Sequence, residues 1–165
     1  MFTVKRIWAI FFVLLLTVFI QSKVLAAELS LPTTKINPDN YLFYSFKRLF
    51  EKGLTFTKFT NNSKADYYRD LTQARMAELK FVVEHDLLSE VQKSTERLSY
   101  QIGILSDYIS NKSDLADKKQ NVNDFLKSYK GPLGELRDKY PANSAYWMLI
   151  QHNINSIDIN LEKLK

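Results

Sequence analysis

The sequence predicts an all-α protein, an elongated antiparallel bundle of about five helices with the fourth kinked or broken near Pro132. Three observations carry that prediction. Over residues 88–109, Leu88, Val91, Thr95, Leu98, Ile102, Leu105 and Ile109 recur at alternating spacings of three and four, a heptad seam of the coiled-coil kind. The same period returns over residues 115–140 and 147–164. Glycine and proline number four each, and no segment sustains the apolar–polar alternation of a half-buried strand. A stripe of this width lies along one side of a helix and has to be covered by other helices.

Residues 27–40 are polar and hold two prolines, which reads as an extended linker into a single helical domain, 41–165. Asn37, Pro38 and Asp39 supply the start signal. The first helix is expected over about residues 41–57. It carries Tyr41, Phe43, Tyr44, Phe46, Leu49, Phe50, Leu54 and Phe56 beside Lys47, Arg48, Glu51 and Lys52. Aromatic side chains dominate burial in small domains, so these rings are expected to plug into the bundle. The competing reading is a basic amphipathic helix lying on a membrane surface or docking a partner.

Ser63-Lys64-Ala65-Asp66 has the form of a capping box and would open the second helix, which continues to His85. Its apolar face is Tyr68, Leu71, Thr72, Met76, Leu79, Val82 and Val83. Asp86 is the expected cap of the third helix, and Ser113 or Asp114 that of the fourth. In the fourth helix Leu115, Lys119, Val122, Leu126 and Tyr129 form a seam, and Leu133, Leu136 and Tyr140 resume its phase beyond Gly131-Pro132. Proline inside a helix removes a hydrogen bond and clashes with the preceding turn, yet a full break would reset the phase. One kinked helix, or two meeting at a tight bend, satisfies both facts. Pro141 ends that unit, and a last helix starts near Asn143 or Ser144.

Export is expected from the N-terminus. Lys5 and Arg6 precede an uncharged apolar run over residues 7–20, and Val24-Leu25-Ala26 fits signal-peptidase cleavage after Ala26. Fourteen helical residues reach about 21 Å, short of a hydrocarbon core of about 30 Å, which favours a cleaved signal peptide, 1–26, over a membrane anchor. Cleavage removes Lys5, Arg6 and Lys23 with no acidic residue, and the formal net charge falls from +5 to +2. A nucleic-acid partner is then not expected, because affinity for phosphate backbones needs clustered positive charge.

No cysteine is present, which removes disulfides, thiolate nucleophiles and zinc ribbons. His85 and His152 lack the Glu-x-x-His spacing of di-iron bundles, and no His-Glu-x-x-His, Gly-rich phosphate loop or Gly-x-Ser-x-Gly elbow occurs. We therefore assign no catalytic residue, no metal ligand and no cofactor. Lys47, Arg48, Glu51, Arg75 and Glu78 read as a structural charge network. Arg75 and Glu78 are three apart on one helix, and the turn near residues 59–62 folds Glu51 back towards Arg75, whose planar fork can bridge two carboxylates. Phe46, Phe50, Tyr68 and Trp147 are candidate walls of an aromatic groove.

Four pieces of the chain resemble a family of exported bacterial proteins, domain of unknown function 5667. They are Tyr44-Ser45-Phe46-Lys47-Arg48 with Glu51, then Lys64-Ala65-Asp66-Tyr67, then Leu71-Thr72-Gln73-Ala74-Arg75 with Glu78, and Tyr140-Pro141-Ala142-Asn143-Ser144-Ala145. The family usually has proline two residues before the first tyrosine, where this chain has Leu42. The resemblance implies a helical fold and an export route and names no activity. The expected function is an exported, non-enzymatic interaction domain at the cell envelope or outside the cell, with a protein partner and with membrane contact through the first helix as a further option. A bundle binding an apolar or aromatic small molecule is the alternative, and an enzyme ranks last.

Overall fold

The computed structural model describes residues 30–165, so the signal-peptide expectation lies outside the described residues. Among the described residues every regular element is helical: α1 (Tyr41–Phe56), α2 (Asn61–Glu84), α3 (Leu88–Ser110), a 3-10 turn (Ser113–Leu115), α4 (Ala116–Ser128), α5 (Lys130–Arg137) and α6 (Ala145–Lys163). Together they form an all-α bundle. The α3 helix packs against α2 on one side and α6 on another, and α5 closes over α6. The heptad stripe is the reason for this central position. Leu98, Ile102, Leu105 and Ile109 are fully buried among Met76 and Leu79 of α2, Leu126 of α4, Leu133 of α5, and Ile150 and Ile157 of α6. Leu88, the first member of the stripe, is a correction: it is 45% exposed, because it opens α3 beyond the reach of its neighbours.

The caps differ from expectation at three places. Thr60, not Ser63, caps α2: its hydroxyl accepts from the Ser63 amide at 3.1 Å, and the Ser63 hydroxyl returns a bond to the Thr60 carbonyl. Asp86 does not cap α3. It sits in the left-handed region at φ 52°, where the Leu87 amide reaches the Val82 carbonyl at 2.9 Å and the Asp86 amide reaches Val83. That is a Schellman ending to α2, with aspartate in the place glycine usually takes. Neither Ser113 nor Asp114 caps α4. Asp114 instead accepts from the Asn61 side chain at 2.8 Å, joining the start of α4 to the start of α2.

The bend falls at Tyr129, three residues before Pro132. Tyr129 keeps right-handed dihedrals (φ −87°, ψ −6°), so the helical phase passes through it, and Leu126, Tyr129, Leu133 and Leu136 stay buried on one side. Pro132 is the third residue of α5, where its missing amide has no intrahelical acceptor to lose. At the next turn Ser144 caps α6 by accepting from the Trp147 amide.

Two further expectations are corrected. The stretch before α1 is not a free linker throughout: Leu31 is buried in the core, and Lys80 donates to its carbonyl at 3.2 Å. The rings of α1 do not enter the bundle either. Leu42, Phe43, Phe46, Leu49, Phe50 and Phe56 are between 68 and 83% exposed, and Tyr44 is buried. A helix can turn only one face inward, and α2 presents Arg75 and Glu78, both buried, at the place where α1 docks. Tyr44, Lys47 and Glu51, spaced three and four apart, meet those charges and leave the rings outside.

Candidate functional site

The inward face of α1 is a clasp. Arg75 donates one arm of its guanidinium to Glu78 and the other to Glu51. Lys47 donates to Glu78 and lies 3.5 Å from Glu51, and Arg48 lies 3.6 Å from Glu51. The Tyr44 hydroxyl donates to the second oxygen of Glu78 at 2.9 Å. Tyr67 adds a bond from α2 to the Glu51 carbonyl at 2.9 Å. The five charged residues singled out from the sequence thus meet at one place, and Tyr44 is the partner that sequence reasoning missed. Its signal was present: it precedes Lys47 by three and Glu51 by seven, on the same helix face.

Burial shapes the chemistry of the clasp. It pushes the Tyr44 hydroxyl up to about 12, and the negative charge of Glu78 adds to the effect. For Arg75 burial alone would favour the neutral form, but Glu78 and Glu51 outweigh it and raise the pKa. Both shifts move their groups further from neutrality, so Tyr44 and Arg75 each keep their proton there.

Between α1 and α3 lies a groove of about 660 Å³. Arg48 and Lys52 line it from α1, and Glu90, Lys93 and Arg97 from α3. Arg97 stacks on the Tyr44 ring at 4.5 Å, which links the groove to the clasp. Glu90 is 5% exposed, accepts from Lys93 at 2.6 Å and lies 3.6 Å from Arg97. Sequence reasoning also missed these α3 residues, although Glu90, Lys93 and Arg97 at spacings of three and four mark one charged helix face.

The four residues proposed as an aromatic groove do not come together. Phe46 and Phe50 point to solvent on α1. Tyr68 meets Tyr108 edge to face at 5.1 Å. Trp147 lies at the α5–α6 turn, with Arg137 stacked on it at 4.6 Å and its ring nitrogen donating to Asp138. Trp147 thus fastens a turn.

Residues 35–143 match the profile of a family described as Domain of unknown function (DUF5667). The chain belongs to that family. The DUF5667 match spans α1 to α5, so the clasp and the groove both lie inside it. No curated protein and no solved structure matches the chain.

Proposed function

We propose that the protein is an exported, non-enzymatic interaction domain that docks on the anionic surface of a membrane through the outward face of α1. One observation carries the reading: α1 turns its charges inward and its apolar side chains outward. Leaving Leu42, Phe43, Phe46, Leu49 and Phe50 in water forfeits about 1.5–3 kcal/mol for each side chain that could have been buried. That loss exceeds what a partly buried charge network returns, so the arrangement is economical only where another surface covers the face.

Charge complementarity selects the surface. Residues 41–60 contain four basic side chains and one acidic one, Glu51, which is turned inward and paired. A convex helix with a phenylalanine-rich face and basic flanks suits the boundary between headgroups and acyl chains, which needs no matching groove. A second copy of the chain fits less well. A two-fold contact between copies would set the basic flanks of two α1 helices against one another, with Glu51, the one acidic residue, already paired inward. Among the described residues no helix is long and apolar enough to cross a membrane.

The test is flotation of the exported protein with phosphatidylglycerol vesicles, with phosphatidylcholine vesicles as the comparison. We expect co-flotation with the anionic vesicles and its loss in Phe46→Ser plus Phe50→Ser. A photocrosslinker at position 46 that labels one envelope protein and no lipid would replace the membrane with a protein partner. Export itself is tested by intact mass, with the mature chain expected to begin at Ala27.

A further inference from the structure

The groove between α1 and α3 shares Arg48 with the clasp and Leu49 with the outward face, and adds cations that neither requires. Four cationic side chains, Arg48, Lys52, Lys93 and Arg97, converge on it from two helices against two carboxylates, Asp39 and Glu90. Glu90 is occupied within the wall by Lys93 and Arg97. Lys52 is in no ion pair among the described residues. Arg97 lines the groove with a side chain that is 22% exposed, although its Nη1 is closed off from solvent. The Tyr44 ring beneath Arg97 holds the guanidinium at the groove wall before any ligand arrives.

We propose that this groove is an anion subsite that receives a phosphate group, and that at a membrane the phosphate is that of a lipid headgroup. The second half rests on the membrane reading of α1, and the first half does not. Phosphate suits the donor set because its several oxygens can meet two guanidinium forks and an ammonium at once. Leu49 supplies the link between the two halves. It lines the groove, yet it also belongs to the exposed apolar face. A lipid whose chains lie beside Leu49 would bring its headgroup to Arg48 and Lys52, one helical turn or less away.

The experiment titrates the exported protein with sn-glycerol 3-phosphate and with inorganic phosphate, followed by arginine side-chain NMR signals, and runs vesicle flotation in parallel. Lys52→Gln and Arg97→Gln are compared with wild type. Lys52 is exposed and makes no ion pair or side-chain hydrogen bond among the described residues, so its variant reports on the groove even if Arg97→Gln folds poorly. We expect saturable glycerol phosphate binding with the Arg97 signal shifted. Each variant should weaken it about tenfold or more, as loss of a charge-assisted contact does. Phe46→Ser plus Phe50→Ser should keep glycerol phosphate binding and lose flotation. No binding of either phosphate by the wild type overturns the subsite. Flotation that is unchanged in Lys52→Gln and Arg97→Gln overturns the headgroup assignment and leaves the α1 reading intact. Phosphate binding that phosphatidylglycerol vesicles fail to compete assigns the groove to free phosphate and overturns the lipid half.

Discussion

Asn153 of α6 donates its side-chain amide to the main-chain carbonyl of Thr95 on α3, at 2.7 Å. The same amide reaches the Ser99 hydroxyl at 2.6 Å, and Asn153 is fully buried. A heptad seam can slide by one repeat with little change in apolar contact, so a buried amide holding a fixed carbonyl sets the register of α6 against α3. Asn153→Ala should cost about 2–3 kcal/mol, two hydrogen bonds at about 1 kcal/mol each plus the space left behind. Thr95→Val should stay within about 1 kcal/mol of wild type, because the Thr95 hydroxyl serves only its own helix at Gln92 and the bond to Asn153 uses the backbone. Urea unfolding of the two variants separates them, and equal losses would mean that the amide sets nothing.

Arg75 is the centre of the clasp and is 1% exposed. Arg75→Ala leaves Glu78 buried beside a single ammonium and should destabilise the domain by about 3–5 kcal/mol. Arg75→Lys should recover only part of that, since lysine lacks the planar fork whose two arms bond Glu51 and Glu78 separately. An Arg75→Ala protein with an unshifted urea midpoint would show that the cluster is not structural.

Tyr44 makes stability depend on alkaline pH. Its hydroxyl is held to about 12, against an ordinary value of 10.0. Between those values the unfolded chain loses a proton that the folded chain keeps. The contribution of neutral Tyr44 is therefore complete below 10 and is lost as pH rises through 12. The slope attributable to Tyr44 approaches about 1.36 kcal/mol per pH unit in that window. Tyr44→Phe should unfold more easily at pH 7, having lost the bond to Glu78, and should show a shallower alkaline decline than wild type. Parallel alkaline slopes for the two proteins would refute it.

Asp86 occupies a left-handed position that favours glycine. Asp86→Gly should stabilise the domain by about 0.5–1 kcal/mol, and a β-branched residue such as valine should destabilise it. Thermal unfolding of Asp86→Gly and Asp86→Val gives the comparison, with opposite shifts expected.

Much of the bundle was legible because burial and period coincide in α3 and α6, where one apolar stripe faces one core. The bend was legible to within three residues, since the phase of Leu126, Tyr129 and Leu133 records that the turn at Tyr129 stays right-handed. The caps were less so. Thr60, Ser63, Asp86 and Asp114 are all good capping residues, and which of them caps depends on tertiary partners such as Asn61. In α1 the sequence reading failed for a definite reason. Amphipathicity shows that a helix has two faces, and hydrophobicity suggests which one to bury. Here the buried charges of α2 decided otherwise. The contacts among Glu51, Arg75 and Glu78 follow from spacing and one turn. The α1–α3 groove could not be read at all without knowing which way α1 had rolled.

That roll separates two kinds of information within sixteen residues. Tyr44, Lys47 and Glu51 fasten the helix to Arg75 and Glu78, and Arg48 braces Glu51 from within α1. Phe43, Phe46, Leu49 and Phe50 stand between them and touch none of that machinery. The mounting and the mounted surface are therefore separate in this helix: a change at Phe43, Phe46, Leu49 or Phe50 alters what α1 meets without touching the bonds that hold it.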